Sequence, residues 1–205
     1  MKLPGIIFEG PPVDPAGLTG LPQAYRALLA RLNGFIAFRG GLHVRGVCAG
    51  PAWHSLAAIQ SGEDALHKLF PAIRPDDVCF GQDCLGDQFF LRTRFLRDPV
   101  VYRLFGESGE LKNLKLNFDD FLRKAVESPV EFLGLQPLLR FEAEGGRLSP
   151  DQLLSAYPPF VFNESGQGVL LRAIPKLERI GFLACMARQL ADVPDGGSVR
   201  IVIKD

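Results

Sequence analysis

The stretch Asp77–Arg92, DVCFGQDCLGDQFFLR, constrains the fold more than any other part of the chain. It reads as a strand over Val78–Phe80, a tight polar corner over Gly81–Asp87 and a second strand over Gln88–Leu91. The corner carries two glycines, Gly81 and Gly86, and two carboxylates, Asp83 and Asp87. Glycine accepts backbone angles that other residues resist, and an Asp side chain bonds to nearby amides, so both residue types suit a sharp reversal between apolar arms.

The chain around this corner is long enough for one large domain, or for one domain with a C-terminal extension. Of its 205 residues 47% are apolar, which supplies a sizeable core and argues against global disorder. Lys plus Arg and Asp plus Glu both number 23, for a net charge of zero. A nucleic-acid binder advertises itself with a basic excess or stripe, and none is visible, so no nucleic-acid partner is expected. No run approaches the roughly 20 apolar residues of a membrane span. The N-terminal MKLPGIIFEGPP has too short an apolar patch for a signal peptide, so a cytoplasmic protein is expected. Cys48, Cys79, Cys84 and Cys185 are scattered through apolar sequence and read as reduced, buried thiols.

Along the chain, Pro4 to Gly20 is an irregular lead-in with a short strand at Ile6–Phe8. Tyr25, Leu28, Leu29 and Leu32 repeat at helical spacing over Pro22–Leu32, and Asn33-Gly34 stops that helix. Phe35–Phe38 and Leu42–Val47 read as strands joined at Arg39-Gly40-Gly41. A short helix or turn over Trp53–Gln60 follows, then a helix over Glu63–Phe70 started by Ser61 and Asp64. After the corner, Gln88–Thr93, Val100–Leu104 and Leu111–Leu114 are strands, the last two joined by a hairpin turn at Gly106–Gly109. Asn117 caps a helix over Phe118–Glu127, with Asp119 and Asp120 in its first turn. Helix, antiparallel strands and a closing helix give an α+β domain. Beyond it, Phe132–Phe141 and Pro150–Ala156 read as helices, Gly168–Ala173 as a strand, Leu177–Leu190 as a helix and Val199–Ile203 as an alternating strand.

The residue types that carry chemistry form no catalytic constellation. His43, His54 and His67 lack the i, i+4 pairing of a zinc helix, and no metal site is expected. There is no nucleophile elbow, and Gly46–Gly50 lacks the sequel of a phosphate loop. Asp83 and Asp87 offer too few oxygen ligands, wrongly spaced, for a calcium loop, so they read first as turn residues. Arg92 and Arg94 share a strand face that is either an anion patch or a solvated surface, with Arg97 and Arg103 nearby. An enzyme or small-ligand protein would have to join the Gln82–Gln88 corner to His54 or to that arginine face. Trp53 is a core anchor or an interface hot spot.

The order of these features resembles the SUKH superfamily, in its Smi/Knr-like branch. Pro22, Tyr25, Leu28, Leu29, Asn33, Gly34 and Phe35 match the first helix and strand, and Trp53 lies in a following loop. Phe80, Gly81, Asp83, Gly86, Asp87 and Phe89 match the corner, and Asn117–Leu122 the closing helix. The resemblance covers residues 20–128. It implies an α+β fold, a mostly antiparallel or mixed sheet flanked by helices, over residues 21–130. Residues 1–20 would then be a lead-in, and 131–205 a C-terminal α/β extension packed on the domain or a small second unit. It also implies a non-enzymatic protein without cofactors. Bacterial members are mostly regarded as immunity proteins that neutralise a cognate toxin, often a nuclease. Fungal relatives coordinate cell-wall synthesis with growth, which makes a regulatory scaffold the alternative. A basic toxin would call for an acidic surface, for which Glu63, Asp64, Asp76, Asp77, Asp83 and Asp87, with Trp53, are the first candidates.

Overall fold

A computed structural model describes residues 3–93, 98–194 and 197. Seven strands form one antiparallel meander, each paired with its sequence neighbours: β1 (Phe8–Glu9), β2 (Phe35–Ala37), β3 (Leu42–Val44), β4 (Val78–Asp83), β5 (Gln88–Arg92), β6 (Val100–Leu104) and β7 (Leu111–Asn113). The α+β reading holds. Strands β4 and β5 sit at the centre, and their register shifts between Val78 and Gly81, a bulge next to the corner.

Helices cover both faces. On the first lie α1 (Gln23–Leu29), α4 (Phe118–Glu127), α5 (Pro129–Leu133) and α6 (Gln136–Ala143). Tyr25, Leu29, Phe118, Phe121, Leu122 and Ala125 pack there against Phe80, Phe89, Leu91 and Val101. Asn117 caps α4 by accepting from the Asp120 amide at 2.8 Å. The second face receives α2 (Leu56–Ser61), α3 (Leu66–Leu69) and α7 (Lys176–Leu190). Ile59, Leu66, Phe70, Ile180, Leu183 and Met186 pack there against Cys79, Phe90, Tyr102 and Leu104. A sheet covered on both sides reads as continuous apolar runs rather than alternation, which is how Phe89-Phe90-Leu91 and Val100-Val101-Tyr102 are written.

The structure corrects several boundaries. Pro150–Ala156 is not a helix. It becomes β8 (Gln152–Tyr157), which pairs antiparallel with β9 (Leu170–Pro175) in a separate two-stranded sheet. There Leu153, Leu154 and Ala156 are all buried, and the Leu154 amide donates to Cys84 O at 2.8 Å, so tertiary pairing overrides the helix signal. Phe132–Phe141 breaks into α5 and α6 because Gly134 adopts a left-handed conformation, φ 74°. Ser61 ends α2, with its hydroxyl donating to Ala57 O, and does not start the next helix, which shrinks to Leu66–Leu69. Strand β4 runs through Gln82 and Asp83, which the sequence places in the corner. The expected helix Leu177–Leu190 is α7, which buries Ile180, Leu183 and Ala184 and leaves Leu177 47% exposed. The expected strand Val199–Ile203, and Arg94 and Arg97, lie outside the described residues.

Candidate functional site

Asp83 ends β4, and its carboxylate turns back into the corner. Its Oδ1 accepts from the amides of Leu85, Gly86 and Asp87 at 2.9, 3.1 and 3.1 Å. Asp87 Oδ1 accepts from the Gly106 amide at 2.8 Å, which ties the corner to the loop after β6. Gly86 sits at φ +95°, where L side chains are strained, and a Cβ there would lie 2.8 Å from Leu183 Cδ1 of α7. Gly81 is required differently: a Cβ on it would meet His43 O of the neighbouring strand at 2.6 Å.

Arg103, on β6 directly opposite Phe89, completes the corner. Its Nη2 lies 2.7 Å from Asp83 Oδ2 and 2.8 Å from Asp87 Oδ2, and its Nε donates to Asp87 Oδ2 at 3.0 Å. The guanidinium stacks over the Phe105 ring at 4.7 Å and lies 5.6 Å from Phe89. Two buried carboxylates thus share one cation. Burial, and the charge of Asp87 beside it, push the Asp83 carboxyl up to about 7, against the downward pull of Arg103 and the Leu85 and Asp87 amides.

The remaining acidic candidates separate. Asp77 is 2% exposed and holds Arg92 through two hydrogen bonds, 2.8 Å from Nε to Oδ1 and 2.6 Å from Nη2 to Oδ2. Arg92, expected in an anion patch or on a solvated strand face, is instead buried over the Phe90 and Tyr102 rings, because α3 and α7 cover that face. Glu63, Asp64 and Asp76 are exposed. The expected acidic surface therefore loses three members. Asp77, Asp83 and Asp87 are buried and held by arginines, and their carboxylates serve the interior.

Trp53 is half-buried, edge-on to Phe8 at 4.9 Å and to His43 at 5.6 Å, with Lys176 Nζ 4.6 Å from its ring centroid. Behind it lies a polar cluster on the second face of the sheet, which the sequence reading did not foresee. Arg45, fully buried, donates through Nη1 to Cys79 O and Gly81 O at 2.9 and 3.3 Å. Through Nη2 it donates to Gln82 Oε1 and Gln88 Oε1, both at 2.7 Å. Burial lowers the Arg45 guanidinium to about 10, and among the described residues its hydrogen-bond partners are backbone carbonyls and glutamine oxygens, with no carboxylate. Burial and then Arg45 lower Lys176, the first residue of α7, to about 7. His43 and His54 stack, with His43 Nε2 2.9 Å from His54 Nδ1. Burial lowers both histidines, His54 to about 4. The signal for this cluster was an arginine following the fully buried Leu42-His43-Val44, and two glutamines set opposite each other across the corner.

The extension closes over the corner. Arg179 of α7 donates to Leu85 O at 3.2 Å and to Glu107 Oε1 at 3.0 Å, and Leu183 packs on Gly86 and Gly106. The corner is thus held by Arg103 of β6 at its carboxylates and by α7 at Leu85 and Gly86. Among the described residues no group of three or more His, Cys, Asp and Glu side chains could hold a metal ion, and no helix is long and apolar enough to cross a membrane. All four cysteines are free thiols.

No curated protein matches the chain. A family model described as the SMI1 / KNR4 family (SUKH-1) matches residues 19–124, more than half of the chain, from just before α1 into α4. That span holds strands β2 to β7, the corner and its arginine clamp, and the chain belongs to the SMI1 / KNR4 family, SUKH-1.

Proposed function

We propose that this protein is a non-enzymatic binding domain that acts as an immunity protein, occupying the surface of a cognate toxin and blocking it. The observation that carries the reading is the family match over residues 19–124. The geometry of the acidic corner supports it. Asp83 and Asp87, the groups a hydrolase would present, are turned inward onto amides and Arg103. The carboxylates left for a partner are Glu63 and Asp64 between α2 and α3, and Asp76 before β4. Gln60 Nε2 donates to Asp77 O at 3.3 Å, which sets the end of α2 beside the turn that carries Asp76. A basic nuclease would be drawn to such a surface, with charge setting the association rate more than the final affinity. Steric occlusion needs no catalytic group.

The test is co-expression with the toxin domain encoded beside this chain. Restored growth and a stable complex in size-exclusion chromatography are the expected result. Unrelieved growth arrest, with no complex at micromolar concentration, would remove the reading.

A further inference from the structure

The polar cluster on the second face of the sheet has no task in toxin binding, yet its hydrogen bonds define a site. His43, Arg45, Gln82 and Gln88 share that face. His43 lies directly opposite Gln82, Gln82 opposite Gln88, and Arg45 two residues along from His43. His43 is 1% exposed, and Arg45 and Gln82 are fully buried.

The partners fix the protonation pattern. His54 Nε2 lies 3.1 Å from Asn33 O, a carbonyl that only accepts, so this nitrogen carries the hydrogen and His54 Nδ1 is the acceptor. His43 Nε2 therefore donates to His54 Nδ1. Burial keeps both rings neutral, so His43 Nδ1 is left as a lone pair. Gln82 is fixed in the same way. Its Oε1 accepts from Arg45 Nη2 and from Gln88 Nε2 at 2.7 and 3.2 Å, so its Nε2 faces away with hydrogens unused. Arg45 spends Nη1 and Nη2 on four acceptors and keeps its Nε hydrogen. Three buried atoms are left without a protein partner: His43 Nδ1, Arg45 Nε and Gln82 Nε2. One accepts and two donate. Groups buried in this state are costly unless bonded.

We propose that these three atoms hold one ordered water molecule, which accepts from Arg45 Nε and Gln82 Nε2 and donates to His43 Nδ1. The donor set selects the ligand. An anion would face the His43 lone pair, and a cation would face Arg45 and Lys176, whose charges act on this cluster. A water matches two donors and one acceptor, and about three hydrogen bonds is the usual number for a buried water. The water closes a continuous chain from Asn33 O through His54 and His43 to Gln82, Arg45 and Gln88, and through Gln88 Nε2 to Gly86 O at 2.6 Å. The loop after α1 and the corner are then joined by one hydrogen-bonded path under α7.

Crystals of the full chain diffracting to near-atomic resolution should show one fully occupied water within hydrogen-bond distance of all three atoms. In solution, labelled protein should give an exchange-distinguishable contact between a long-lived water and the His43 ring proton, with His43 Nδ1 unprotonated. Gln82→Met should abolish that contact. If that variant fails to fold, the two wild-type measurements decide alone. Three findings overturn the proposal: Gln82 Nε2 bonded directly to His43 Nδ1 with no density between them, an anomalous halide peak at the site in bromide-grown crystals, or a protonated His43 Nδ1.

Discussion

Arg103 Nη2 reaches Asp83 Oδ2 at 2.7 Å and Asp87 Oδ2 at 2.8 Å, so one guanidinium clamps both acids of the corner that joins the two central strands. Removing the clamp leaves two carboxylates buried against each other. Arg103→Met should cost about 3–5 kcal/mol, the range for breaking a buried ion pair by deleting one partner. Urea unfolding followed by far-UV circular dichroism measures it. A midpoint within error of wild type would mean that the corner does not depend on the clamp.

Asp83 makes stability depend on pH in a definite direction. Asp83 moves from 3.8 in the unfolded chain to about 7 in the folded protein. The folded state holds the proton more tightly, so this stability is fully present below about 3.8 and is lost as pH rises through about 7. His54 works the other way: lowered from 6.5 to about 4, it contributes stability above 6.5 that is lost as pH falls through about 4. The two oppose each other between pH 4 and 6.5. Asp83→Asn removes one arm and should steepen the loss of stability on acidification across that window. Equal slopes for wild type and variant would refute the assignment.

Lys176 supplies the alkaline counterpart. Its ammonium is lowered from 10.5 to about 7 by burial and by Arg45. The folded state binds this proton less well than the unfolded chain, so stability should rise from pH 7 toward 10.5. In Lys176→Met that rise should flatten in thermal unfolding across the same range. A rise that persists unchanged would assign it to other groups.

What the sequence made legible follows from which forces are local. The cap at Asn117, the apolar stripe of α4 and the order of the strands are written in neighbouring residues. The corner was visible through Gly81, Asp83, Gly86 and Asp87, yet its burial was not. A solvated face for Arg92 assumed a sheet open on one side, whereas α3 and α7 close that side. Pro150–Ala156 misled because its strand character comes from pairing with β9 and from the Leu154 amide on Cys84 O. The polar cluster was hidden because Asn33, His43, His54, Gln82, Gln88 and Lys176 are brought together only by tertiary structure.

Gly86 tests the docking of the extension. Its φ of +95° penalises any side chain, and a Cβ would press on Leu183 Cδ1 at 2.8 Å. Leu183→Ala alone should cost about 2–5 kcal/mol, as for other large-to-small changes in a core. In Gly86→Ala/Leu183→Ala the steric part of the Gly86 penalty should disappear, so the double variant should be more stable than the sum of the singles predicts. Strict additivity would show that the two residues do not meet.

The exposed carboxylates separate a binding role from a structural one. Glu63, Asp64 and Asp76 lie on the surface, and substitutions at such positions typically move stability by about 0.5 kcal/mol or less. The triple variant Glu63→Lys, Asp64→Lys, Asp76→Lys should therefore unfold close to wild type. If a basic toxin docks against this surface, the variant should associate with it more slowly, and the difference should shrink as salt screens the charges. Surface plasmon resonance at two ionic strengths reads both effects. A variant that binds as fast as wild type at low salt, while the wild-type protein still neutralises the toxin, would move the interface away from these residues and leave the immunity role intact.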